Sequence, residues 1–146
     1  MVEFRDVNIS LAIDIVSYEY DNSRHKGFGF DEDSNWLMLK FEVTHLGERL
    51  VHTIPCLLTT ELIEVVHNME LVEKGKIKRY SSNFIEPDFM LSFLREQEEF
   101  IIHIRLSFSG GLEDCDWIET ETRVSKKRWE ELIDQIRGAS KRFPVR

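Results

Sequence analysis

The sequence predicts an α+β fold: an antiparallel β-sheet of about seven strands with two amphipathic helices, in the order βββ–α–ββββ–α. Three observations predict it. Several segments alternate apolar and polar residues with a period of two, the mark of strands with one wet face. Short turns join consecutive alternating segments, which makes them antiparallel neighbours. Two segments, near 60–74 and 125–138, carry apolar residues at helical spacing instead. A strongly curled sheet and a two-sheet sandwich both satisfy this pattern. At 146 residues the chain is expected to form a single domain, 1–146.

The first strand is expected in residues 7–20, where Val7, Ile9, Leu11, Ile13 and Ile15 share a face. A bulge near Val16 would turn Tyr18 and Tyr20 inward. Residues 21–35 read as a loop, with Phe28 and Phe30 either on the core or exposed for contact. Its Gly27-Phe28-Gly29 lacks the context of a nucleotide motif. Residues 36–45 form the second strand, with Leu37, Leu39, Phe41 and Val43 facing inward. Leu46-Gly47-Glu48 turns the chain into a third strand, Arg49–Ile54, which Pro55 is expected to stop. Thr59 or Thr60 then caps a helix that ends at Lys74-Gly75-Lys76. Residues 77–86 and 88–96 read as strands, and Gln97-Glu98 turns into 99–108. Residues 116–124 form the last strand, with Ile118, Thr120, Thr122 and Val124 opposite Trp117, Glu119, Glu121 and Arg123. Ser125 caps the second helix, Val124 and Trp129 have the spacing of a hydrophobic staple, and Gly138 is the expected end.

The net charge is −8, and it is unevenly placed. Residues 86–121 hold ten acidic groups against two basic ones, Arg95 and Arg105. Residues 123–146 hold eight basic groups against three acidic. The acidic stretch would repel phosphate, so direct nucleic-acid binding is not expected and a basic protein partner is. The plainer reading is that the charge serves solubility. No apolar run approaches the ~20 residues of a membrane helix. The opening residues MVEFRDVNIS resemble no signal peptide, and only Cys56 and Cys115 are present, so a cytoplasmic location with reduced thiols is expected.

Catalytic and metal motifs are weak, and neither a cofactor nor a metal is expected. His45 and His52 flank the hairpin turn and read as a surface pair across it, short of a zinc site. Cys115 sits between Asp114 and Asp116, which would raise its thiol pKa, the wrong direction for a nucleophile. Glu86 and Asp88 flank Pro87 at a strand corner, where solvated carboxylates are commoner than catalytic ones. The densest acidic run is Glu113, Asp114, Asp116, Glu119 and Glu121, with Trp117 on the strand face of the last two. An aromatic beside carboxylates suits a Lys/Arg-rich protein surface, so these residues with Glu86 and Asp88 form the candidate partner-binding set. The alternative is that Trp117 packs under a helix and the acids protect an edge strand.

Four segments carry a family resemblance: Asn35-Trp36-Leu37 opening a strand, Pro55-Cys56-Leu57-Leu58-Thr59-Thr60-Glu61-Leu62 leading into the first helix, Phe84-Ile85-Glu86-Pro87-Asp88-Phe89 before a hairpin, and Phe143-Pro144-Val145-Arg146. In this order they resemble the WapI-like immunity proteins of bacteria, small cytoplasmic proteins encoded beside large wall-associated or contact-dependent toxins. The likeness covers residues 35–146, and the first 34 carry no matching motif. It implies a non-enzymatic inhibitor that binds one cognate toxin domain and occludes its active surface, the namesake toxin being a nuclease acting on tRNA. It transfers no binding-site residues. The acidic composition fits a basic nuclease as partner. A second expectation is a binding protein that holds a small apolar ligand in a cavity of the sheet.

Overall fold

The computed structural model describes residues 1–20, 33–107 and 117–146. The elements are β1 (Val2–Arg5), β2 (Ile9–Tyr18), β3 (Trp36–His45), β4 (Glu48–Leu58), α1 (Thr59–Glu73), β5 (Arg79–Ser81), β6 (Phe89–Glu96), β7 (Glu99–Leu106), β8 (Ile118–Ser125) and α2 (Lys126–Arg142), with a 3-10 turn at Asp33–Asn35. The described strands form two separate antiparallel meanders, β1-β2-β3-β4 and β5-β6-β7-β8. The expected order gains one strand, and the single curled sheet is replaced by two sheets. β4 pairs only with β3 and β5 only with β6, so no ladder joins the two described meanders, which is the two-sheet alternative and not the strongly curled one. The order ββββα occurs twice, a repetition with no counterpart as a sequence repeat.

The alternation read in the sequence places the inner faces. Leu37, Leu39, Phe41 and Val43 are all buried. Phe4, Leu11, Val43 and Leu50 stand in one row across the first sheet. Tyr80, Phe93, Ile102 and Thr122 do so across the second. Phe41 of β3 and Phe89 of β6 touch at 5.7 Å between ring centres, so the two inner faces meet. Trp129 of α2, wholly buried, stacks on Phe100 at 4.4 Å and meets Phe93 edge-on at 5.2 Å. One core cluster therefore draws on both sheets and both helices.

Several expected boundaries shift. Val7 is 93% exposed, because the Asp6 N–H bonds to the Ile9 carbonyl and makes 6–9 a turn between β1 and β2. The bulge at Val16 is present: the β2–β3 register slips between Ile15 and Ser17, Tyr18 turns onto the core, and Tyr20 stays exposed. Pro55 does not stop β4. It sits on the edge strand of its sheet, where its missing N–H costs no ladder bond, and a register slip at Leu37/Met38 absorbs it. Gly138 does not end α2, which runs on to Arg142. Phe28, Phe30 and the Gly27-Phe28-Gly29 element lie outside the described residues.

The helix ends follow their sequence signals. The Ser125 hydroxyl accepts from the Arg128 N–H at 3.3 Å, while Val124 and Trp129 are both buried. At the end of α1, Gly75 has φ +66°, its N–H bonds to the Val72 carbonyl, and the Lys76 N–H bonds to that of Leu71. That is a Schellman closure, which requires a left-handed residue at the glycine. The start of α1 differs from expectation: Leu58 holds the cap position and has no side-chain acceptor. Glu61 reaches back instead, accepting from the Leu58 N–H at 2.8 Å.

Candidate functional site

The register of the second sheet brings two separate parts of the predicted site to one end. Phe89, Leu106 and Ile118 occupy one row of β6, β7 and β8. The Ser107 N–H continues the ladder to the Asp88 carbonyl at 2.8 Å. Asp88 thus precedes β6, and Trp117 precedes β8, on either side of the end of β7, two strand spacings or roughly 10 Å apart. Glu113, Asp114 and Asp116 lie outside the described residues, in the stretch between β7 and β8.

Trp117, Glu119 and Glu121 share the outer face, as their alternation predicts, but they are not bare. Arg105 lies opposite Glu119 in the ladder, and His103 opposite Glu121. The Arg105 Nε is 3.1 Å from Glu119 Oε1, an ion pair rather than an aligned hydrogen bond. The guanidinium carbon of the same Arg105 stands 3.8 Å from the centre of the Trp117 ring. His103 Nε2 is 3.7 Å from the other Glu119 oxygen. At the far end of the strand, Arg123 pairs with Glu96 at 2.8 Å and Glu99 at 3.8 Å. Arg105 is the site residue that sequence reasoning missed. The alternation of β7 turns it outward, but only the β7–β8 register places it against Trp117. Trp117 and Glu119 also line a cleft of about 290 Å³ whose other wall includes His45, Glu48 and Arg49 from the β3–β4 turn.

Glu86 and Asp88 are half-buried and held by the start of α1. The buried Glu61 accepts from both Leu58 N–H and Ile85 N–H at 2.8 Å, tying the 82–88 segment to the helix. Burial raises the Glu61 pKa above its ordinary value against these two donors, with Glu64 and Glu86 adding to the rise. The wholly buried Cys56 thiol is pushed far up, first by burial and then by the charges of Asp88, Glu61 and Glu86. A thiol shifted that way is not a nucleophile. The expected pairing of His45 with His52 does not form: His45 lies opposite Glu48, and His52 lies opposite Phe41, farther along the ladder. Among the described residues no group of three or more His, Cys, Asp or Glu is arranged to hold a metal ion.

A second feature lies in the core. A cavity of about 250 Å³ opens where the two sheets meet α1 and α2. Its wall is apolar, including Ile15, Leu39, Leu62, Val65, Phe89 and Ile104. Asp14, Gln135, Gly138 and Arg142 also line it.

A protein-family model of the WapI-like immunity proteins matches residues 4–144. The chain belongs to the WapI-like immunity protein family. No curated protein and no solved structure matches it. The WapI-like match begins at residue 4, well before the segments that carry the resemblance from 35 onward. It therefore takes in part of β1 and all of β2; the short edge strand β1 has little motif but supplies the buried Phe4. No helix among the described residues is long and apolar enough to cross a membrane.

Proposed function

We propose that this WapI-like chain neutralises one cognate toxin domain, a basic nuclease, by binding it in a stoichiometric complex that occludes its active surface. The observation that carries the reading is the family match over residues 4–144. The surface assigned to the toxin is the end and outer face of the second sheet: Glu86, Asp88, Trp117, Glu119 and Glu121, with Glu113, Asp114 and Asp116 between β7 and β8 in sequence. A nuclease needs a basic surface to hold phosphate. Carboxylates set against that surface speed encounter and select the partner. Inhibition by occlusion needs no bond making or breaking by the inhibitor, so no enzymatic activity is invoked, and no nucleic acid or membrane is bound directly. The cell interior, where a nuclease meets its substrate, is the place of action.

The Arg105 contacts fit this role. Glu119 is 54% exposed within its ion pair with Arg105, so its carboxylate stays open to a toxin Lys or Arg. Meanwhile Arg105 holds the Trp117 ring in place, ready to pack. An interface of at least about 1,000 Å² is expected.

Charge reversal tests the assignment. Glu86→Lys, Asp88→Lys, Glu119→Lys and Glu121→Lys together should abolish protection of cells that express the toxin domain encoded beside this protein. Reversal of Glu130 and Glu131 on α2 should leave it intact. Full protection by the fourfold variant would move the interface elsewhere on the molecule while leaving the family reading standing.

A further inference from the structure

We propose that the open cleft between the β3–β4 turn and the start of β8 receives one arginine side chain of the toxin domain. The inference rests on the immunity reading and adds to it the place and the chemistry of a single anchor.

The cleft holds about 290 Å³ and lies where one end of the first sheet meets the second. Its base is apolar: Val43 is buried, and Ile9, Leu50 and Ile118 pack half-buried against the core. A void of about 150 Å³ accepts benzene, so this space admits a whole arginine side chain, with its methylenes on the apolar base.

Strand alternation sets what stands at the rim. Ile9, His45 and Glu48 form the last row of the first sheet, on the face that carries Leu11, Val43 and Leu50 in the row two residues inward. That face is otherwise apolar at this end, yet His45 and Glu48 occupy it, exposed and lining the cleft. Among the described residues neither side chain has a hydrogen-bond or ion-pair partner. The other charges at the cleft are committed. Arg49 donates to Glu42 on the outer face of the sheet, so its charge is compensated. Glu119 pairs with Arg105 at 3.1 Å and stays 54% exposed. The charge left without a partner is the negative one of Glu48. An apolar side chain seated here would strip water from Glu48 and put nothing in its place, which is costly. A carboxylate would meet Glu48 and Glu119 and find only an Arg49 that Glu42 already holds. A cation satisfies Glu48 directly.

Arginine fits this cleft better than lysine. Its guanidinium is planar, sheds water more readily than an ammonium, and carries a fork of N–H donors for the carboxylates on the two walls. His45 in its neutral form offers a ring nitrogen as a further acceptor. Trp117 gives the cleft an aromatic wall, and the Arg105 guanidinium carbon already stands 3.8 Å from the centre of that ring.

A double-mutant cycle with the toxin domain encoded beside this protein tests the anchor. Glu48→Gln is combined in turn with alanine variants of the toxin's arginines and lysines, and affinity and off-rate are read by surface plasmon resonance. Glu48→Gln removes no bond of the folded chain, so its denaturation midpoint should match wild type. It should weaken the complex by about tenfold or more, through a faster off-rate. One toxin arginine should couple to Glu48 by about tenfold or more, while Glu130→Gln on α2 should change affinity by less than about twofold. A complex as tight with Glu48→Gln as with wild type, no arginine coupled to Glu48, or coupling to a lysine alone would overturn the anchor and leave the immunity reading standing. A wild-type chain that neither protects cells nor forms a complex would overturn the immunity reading itself, and the anchor with it.

Discussion

Glu42 shows how a single residue writes a pH signature into the fold. Lying on the outer face of β3, it takes hydrogen bonds from Lys40 and from Arg49 across the hairpin. The Lys40 bond first, and the Arg49 bond second, lower its pKa from 4.5 to about 2. The folded value lies below the unfolded one, so the carboxylate contributes stability that is present above about pH 4.5 and is lost as pH falls through about 2. Denaturant unfolding of wild type and Glu42→Gln at a series of pH values should show the difference between them shrinking across that window and constant above it. Gly138 gives a second residue-scale prediction. It lies inside α2 with open space at the Cβ position. Replacement by Ala should therefore stabilise the protein by about 0.5–1 kcal/mol through helix propensity alone, read as a raised denaturation midpoint with unchanged slope.

Among the elements, the joint that holds the first sheet to the chain's last residues has a single polar centre. Asn35, fully buried at the end of the 3-10 turn, accepts at Oδ1 from the Thr59 hydroxyl and from the Arg146 N–H, both at 2.8 Å. Its Nδ2 donates to the Arg146 carbonyl at 3.0 Å. Beside it the Tyr18 hydroxyl donates to the Pro144 carbonyl, and the Arg146 guanidinium covers the Tyr18 ring. Asn35→Ala leaves these buried partners unmet and should cost about 2–4 kcal/mol, with amide exchange at 143–146 accelerating first. The sequence showed part of this. The strand opened by Asn35-Trp36-Leu37 and the closing Phe143-Pro144-Val145-Arg146 stood out as segments, but nothing in their spacing joins residues 111 positions apart. The same limit explains the other differences. Alternation and caps are local, so β3, the β6–β7 hairpin and the start of α2 could be read directly. Pro55 and Gly138 also carry local rules, but an edge strand removed the force of the first and helix packing that of the second. The Arg105 contact with Trp117 depends on register between strands, which no local pattern contains.

For the whole molecule, charge and architecture divide the work. Two four-stranded meanders and two helices share one core, with Phe41–Phe89 and the Trp129–Phe100 stack joining its parts. That construction leaves the outer faces free to carry polar residues. The second sheet gathers Glu86 and Asp88 with Trp117 and Glu119 at one end although they are far apart in sequence. The acidic excess of residues 86–121, net −8, falls on the second sheet and its connections, while residues 1–85 carry a further net −5. We assign that concentration of charge as the toxin-facing surface of a WapI-like immunity protein. Its most direct test is co-expression with the toxin domain encoded beside the protein, scored by cell survival and by co-purification. The expected result is survival and a one-to-one complex that weakens steeply as salt is raised. Cell death with both proteins expressed and no complex recovered would contradict the assignment.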